Sequence, residues 1–236
     1  MTKYEKIANI LRKRIADGIY PPDSLLPNQI ELVEEFQVSR VTIKKSINIL
    51  AMEGLVYSQR GAGTRVLKRG VWGSENYSAT EYDGLSQQMK DRNLTSQIIT
   101  FEVKFPDDLI REKLLLDKHK PVYKIIRLRL LDGAPYVLEH TYMPTELVPD
   151  LNPSILEKSI YEYLHQQLGI TFAGAYRKLK ADKADQLDKT YLNCEASDPI
   201  LEVEQIVYLK DGQPIEYSRS RNRYDQRSYS VLDVIE

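Results

Sequence analysis

The chain has 236 residues, 42% hydrophobic and 28% charged, with a net charge of −1; that length favours two domains of unequal size, and no apolar run approaches the roughly 20 residues that span a bilayer. The single cysteine, Cys194, excludes an intrachain disulfide, and the first residues lack the apolar stretch of a signal peptide, so a cytoplasmic protein without membrane association is expected. Charge is unevenly divided, with 12 Lys and Arg against 7 Asp and Glu through Arg69 and 21 against 27 beyond it, or +5 and −6, which points to a polyanion partner for the first part only.

Ile7, Ile10, Leu11 and Ile15 recur at helical spacing and Gly18 stops the pattern. After a Pro-rich turn, Asn28 stands three residues before Glu31, the arrangement of an N-cap with a capping box, and Leu32, Val33 and Phe36 form the buried face of a second helix. Ser39 then caps a third helix over about Arg40–Met52, whose stripe runs through Val41 or Thr42, Ile43, Ile47 and Leu50 to a stop at Gly54. Two short helices joined by a tight turn form a helix-turn-helix, which lays the start of its second helix against base edges; Arg40, Thr42, Lys44 and Lys45 occupy that place. Leu55–Tyr57 and Thr64–Leu67 read as two strands of a wing whose turn holds Gly61 and Gly63, with Arg60 and Arg65 available for phosphate or the minor groove.

Four motifs in this order resemble the DNA-binding domain of GntR-family regulators: Leu26-Pro27-Asn28, Val38 through Lys44, Leu50 through Val56, and Gly61-Ala62-Gly63-Thr64. The match covers residues 3–68. The resemblance implies a winged helix-turn-helix that binds double-stranded operator DNA as a homodimer, through Asn28, Ser39, Arg40, Thr42, Lys44, Arg60, Gly61, Gly63 and Thr64. Asn28 replaces the family's Ser and keeps the capping function; Lys44 replaces an Arg, which keeps the charge and loses bidentate pairing to guanine.

Residues 70–80 lack periodicity and read as a linker between domains 1–69 and 81–236. Beyond them strand-like runs alternate with short helices, giving an α+β domain with an antiparallel sheet. Pro121 through Leu131 with Asp132-Gly133-Ala134-Pro135 is echoed by Pro199 through Lys210 with Asp211-Gly212-Gln213-Pro214, so two β-hairpins in pseudo-symmetric halves of one sheet are expected. Between them Ile155 through Leu164 reads as one helix that stops at Gly169. Strand alternation puts Arg127 and Arg129 on one face, their Cα atoms about 6.6 Å apart, and Ile126, Leu128 and Leu130 on the core face. Spacing alone leaves the arginines as a solvated pair or as a fork for a phosphate or carboxylate.

Residues 80–236 resemble the UTRA ligand-binding domain of the HutC subfamily, whose fold is related to chorismate lyase. The resemblance implies an effector site formed by Arg127, Arg129, Glu139, Ser159, Tyr161 and Glu216, with the turn Gly84-Leu85-Ser86 in place of a Ser-Phe-Thr-like turn of phosphosugar binders, one hydroxyl short; strand alternation turns Ser218 the same way as Glu216, toward that site. The function implied is a regulator, a repressor released from its operator by a phosphosugar or another small anion; a non-sugar carboxylate effector is the alternative. Glu139 and Glu216 also invite acid–base chemistry. No nucleophile–base set accompanies them, since His119, His140 and His165 are scattered and Cys194 has no obvious partner, so no enzyme, cofactor or metal is expected.

Overall fold

A computed structural model describes residues 2–59, 61–68, 77–78, 84–89 and 92–230, in two compact units, Met1–Ser78 with Tyr229–Glu236, and Ala79–Ser228. The first unit contains α1 (Lys3–Ala16), α2 (Gln29–Phe36) and α3 (Arg40–Met52), then the antiparallel pair β1 (Val56–Gln59) and β2 (Gly63–Val66), then β3 (Tyr77–Ser78). Helix starts follow local chemistry. Asn28 Oδ1 accepts from the amides of Ile30 and Glu31 at 2.9 and 3.1 Å, and Glu31 accepts from the Asn28 amide at 2.7 Å, so three otherwise orphaned donors are satisfied. Gln37, at φ 50°, turns the chain after α2, and Ser39 Oγ accepts from the Thr42 amide at 3.3 Å to open α3. Leu11, Leu32, Ile43, Ile47 and Leu50 close the core against Val56 and Val66.

The stripe of α3 departs from expectation at its first member. Ile43, Ile47 and Leu50 are buried, but Val41 is 66% exposed: at 100° per residue it falls with Lys44, Lys45 and Asn48 on the outer face, all exposed.

The second unit contains α4 (Gly84–Gln88), β4 (Leu94–Lys104), α5 (Asp108–Leu114), β5 (Val122–Leu131), β6 (Ala134–Pro144), α6 (Pro153–Leu156), α7 (Ile160–Gln166), β7 (Phe172–Lys183), α8 (Gln186–Tyr191), β8 (Pro199–Leu209) and β9 (Pro214–Arg223). Its strands form one antiparallel sheet in the order β4-β5-β6-β9-β8-β7. Each half is a strand, a helix and a hairpin, and the halves meet where β6 pairs with β9. That is the pseudo-symmetry the echoed hairpins announce. The two turns nonetheless differ: Asp132 and Gly133 are both at positive φ, 52° and 84°, as a two-residue type I′ turn requires, whereas in the second only Gly212 is, at 86°. A final short strand, β10 (Tyr229–Ser230), pairs in parallel with β3 within the first unit.

Both faces of the sheet are covered. Ile125, Met143, Val207 and Ile215 pack against Leu156, Ile160 and Leu164 of α6 and α7, while Ile126, Leu128, Leu138 and Ile200 pack against Leu187, Tyr191 and Leu192 on the other side. The expected single helix is two. Ser159 takes an extended conformation (φ −99°, ψ 112°), and its hydroxyl accepts from the Glu162 amide at 3.2 Å to start α7 afresh. The break leaves the carbonyls of Leu156 and Lys158 without helical partners, and Arg127 Nη1 donates to them at 2.8 and 3.4 Å.

Candidate functional site

In the first unit the start of α3 is open. Arg40 is exposed, and its Nε donates to Gln29 Oε1 of α2 at 3.0 Å, which aims the guanidinium across the helix-turn-helix. Thr42 is half-buried with its hydroxyl 2.9 Å from that of Ser39, and Lys44 is exposed. Lys45 lies with Nζ 5.5 Å from the ring centroid of Tyr4. Asn28 and Ser39 are placed as the caps of α2 and α3. In the wing Gly61 and Gly63 are at φ 81° and 87°, conformations that a side chain would strain. Arg60 lies outside the described residues. Two expectations change here. Thr64 is 8% exposed with its hydroxyl 2.8 Å from that of Ser58, so its side chain braces the hairpin rather than facing outward. Arg65 donates to the Asp23 carbonyl and ties the wing to the turn before α2.

In the second unit the two arginines of β5 are buried, 5% and 3% exposed, which removes the reading as a solvated pair. Each is held by what the fold brings to it. Cross-strand pairing sets Glu139 of β6 opposite Arg127, whose Nη2 meets its Oε2 at 2.7 Å; Arg129 Nη1 lies 3.6 Å from the same oxygen. Arg129 Nη2 donates to Ser86 Oγ of α4 at 3.0 Å. Among the described residues, the Nε atoms of both arginines are buried without a hydrogen-bond partner. That is more donor capacity than the described residues satisfy, and a buried unmet donor is costly.

Beside them is a second group. Glu216 of β9, 4% exposed, has as neighbours the hydroxyls of Tyr161 at the start of α7 and of Ser218 two residues on, the spacing that keeps Ser218 on the same sheet face. Gly84, at φ 74°, lies so close that a Cβ there would come within 3.0 Å of Tyr161 Cδ2. Leu85 is half-buried in the same turn, with its carbonyl accepting from the Met89 amide. Ser159 serves as the cap of α7. The structure thus brings Ser86, Arg127, Arg129 and Glu139 into one set and Tyr161, Glu216 and Ser218 into another, with Gly84 against the second.

The two carboxylates are tuned in opposite directions. Burial opposes charge on Glu139, but Arg127 and Arg129 overcome it and hold its carboxyl below the ordinary range; burial pushes Glu216 up, and the charge of Glu139 adds to the push. Burial likewise raises the Tyr161 phenol well above its usual value, and the neighbouring Glu216 raises it further. Arg129 is lowered by burial, with Glu139 opposing the shift. Together these groups set guanidinium donors at one end and a carboxylate acceptor at the other.

Sequence reasoning missed Gln205 and Arg177, which adjoin Tyr161 through pairing of β7 with β8, and Arg227, whose Nη2 donates to Gln88 at 3.0 Å and whose charge reaches Glu139. Alternation along single strands gives faces but not these neighbours. The remaining arginines of β9 lie on the opposite face: Arg221, 2% exposed, is bound by Asp182, Asp188 and Glu202, and Arg223 pairs with Asp225 at 2.6 Å.

Comparison with known proteins matches two stretches of the chain to families. Residues 3–66 match the bacterial regulatory proteins of the gntR family, and residues 89–227 match the UTRA domain. The chain is 42% identical to the HTH-type transcriptional regulator GmuR of Bacillus subtilis, over 99% of both chains. Among solved structures it is similar to the possible transcriptional regulator YydK of B. subtilis, with a TM-score of 0.81 and 29% identity over 99% of this chain and 100% of that one. It is also similar to the effector-binding domain of the B. subtilis trehalose repressor, with a TM-score of 0.55 and 27% identity over 60% of this chain and 99% of that one.

Proposed function

Because the chain belongs to the gntR family of bacterial regulatory proteins and carries a UTRA domain, we propose that this DNA-binding transcription regulator is a homodimeric repressor released from its operator by an anionic sugar, a phosphosugar being the best match. The observation that carries the effector reading is the pair of buried Nε donors on Arg127 and Arg129, which have no partner among the described residues. A phosphate or carboxylate oxygen supplies acceptors that match a planar fork. Glu216, buried and acceptor-rich, suits the hydroxyls of a sugar ring. The trehalose repressor, similar in fold over this domain, is by its name a repressor with an effector-binding domain.

On the DNA side, Arg40, Thr42 and Lys44 at the open end of α3 suit base-edge and phosphate contact, with the wing glycines giving the backbone a close path to the duplex. Release requires the effector to favour the arrangement that does not bind DNA, and coupling of about 1–3 kcal/mol gives a 5- to 150-fold change in affinity.

The test is fluorescence anisotropy on duplexes tiled across the region upstream of its own gene, with glucose 6-phosphate, mannose 6-phosphate and the corresponding neutral sugars as probes. Arg129→Gln should abolish release by the phosphorylated probe while binding duplex as the unsubstituted protein does. Release by neutral sugars alone, or loss of DNA binding in Arg129→Gln with its thermal stability retained, refutes the reading.

A further inference from the structure

Arg177 and Gln205 stand outside the arginine–glutamate set, on β7 and β8, and are opposite each other in the sheet register. Arg177 Nε donates to Gln205 Oε1 at 2.5 Å, and Gln205 Nε2 donates to Tyr161 Oη at 3.0 Å. A primary amide can ordinarily be turned over, exchanging donor for acceptor. Here it cannot without penalty, because a guanidinium has only donors, and the oxygen of Gln205 must face it. The Gln205 NH2 is therefore committed to Tyr161, whose oxygen accepts. Its one proton is then left for the neighbouring Glu216, beside which Ser218 also lies.

We infer that Arg177 and Gln205 are positioning residues that fix the polarity of the effector site, so that Glu216 meets the ligand as an acceptor and selects a ligand group that donates, such as a sugar hydroxyl. The choice of ligand follows from the direction of the relay. With Gln205 reversed, Tyr161 would have to donate toward Gln205, Glu216 would lose a donor, and its buried charge would be less well held. An acceptor group on the ligand, an ether or a second carboxylate, is repelled at this end and accepted only at Arg127 and Arg129. This inference rests on the effector reading above.

Two measurements on the full chain separate the relay from that reading. In the side-chain amide spectrum of protein labelled with 15N-glutamine, the Gln205 signal, assigned by its loss in Gln205→Ala, should be displaced from the exposed glutamines, with proton exchange slowed at least about tenfold. Arg177→Met should return it to the exposed position, and Arg177→Lys, which still offers only donors, should retain the displacement. A Gln205 signal that is the same in Arg177→Met as in the unsubstituted protein overturns the relay whatever the ligand is. Calorimetry with mannose 6-phosphate, glucose 6-phosphate and inorganic phosphate then reads selectivity. Gln205→Leu should lose about tenfold in hexose-phosphate affinity, as one hydrogen bond allows, with inorganic phosphate unchanged. Equal losses for both probes would make Gln205 merely structural and overturn the selectivity role. A displaced, Arg177-dependent Gln205 signal in a protein that binds no hexose phosphate would instead overturn the sugar reading and leave the relay in place.

Discussion

At Glu216 the cost of burying a carboxyl is visible in one side chain. Burial raises its carboxyl above the ordinary 4.5, and the hydroxyls of Ser218 and Tyr161 and the charge of Arg127 offset the loss of water only in part. A carboxyl whose folded value is raised contributes stability when protonated, fully present below the unfolded value and lost as pH rises through the folded one. Glu216→Gln should therefore raise the melting temperature at pH 7.5, with the difference vanishing toward pH 4, and scanning fluorimetry across that range reads it; destabilisation at every pH would contradict the assignment. Arg127 has the opposite sign. Its removal in Arg127→Met leaves Glu139, whose side chain is 16% exposed, beside a single, more distant guanidinium, at a cost of about 3 kcal/mol that Glu139→Gln in the same chain should largely restore, as denaturant titration would show. The arginine pair was legible as a pair from alternation along β5, but its burial was not, because the groups that bury it come from α4, β6 and the break before α7.

Among the elements, α3 was the most legible, since Ser39 marks its start and its apolar spacing its length. Only Val41 misled, because an apolar residue in the first turn of a helix satisfies a core pattern as readily as an outward one. The opposite failure lies at residues 157–159, where helical periodicity runs straight through Ser159. The break is set by Arg127 taking the carbonyls that a continuous helix would use, a long-range cause that no local window contains. The second strand of each hairpin and the Asp-Gly turns were legible because positive φ is a local demand. Gly133→Ala, at φ 84° with open space around it, should cost about 1 kcal/mol from backbone strain alone, measured by denaturant titration. For α3, Lys44→Ala should weaken duplex binding similarly on all sequences and reduce the slope of log K against log salt by about 1, whereas Arg40→Ala should relax sequence preference.

For the whole molecule, the charge division of +5 and −6 keeps the acidic, ligand-binding part from competing for the duplex and makes the basic part sensitive to salt. Its acid limit is set in part by His140. Burial lowers this imidazole from 6.5 to about 4, and the nearby Arg219 adds to the shift. A base with a lowered folded value stabilises above its unfolded value and loses that contribution as pH falls, here roughly 3 kcal/mol between pH 6.5 and 4. His140→Gln should accordingly show a smaller fall in melting temperature over that interval than the unsubstituted protein.

Thermodynamic reciprocity supplies the most direct test of the account. If an anionic sugar held by Arg127, Arg129 and Glu216 weakens DNA binding, the duplex must weaken sugar binding by the same factor. Calorimetric titration of the hexose 6-phosphate that binds most tightly, into free protein and into protein saturated with operator duplex, should give an affinity about 5- to 150-fold lower on the duplex. Equal affinities in the two titrations would show that the site and the DNA-reading helix are uncoupled, and the regulator would have to answer to something else.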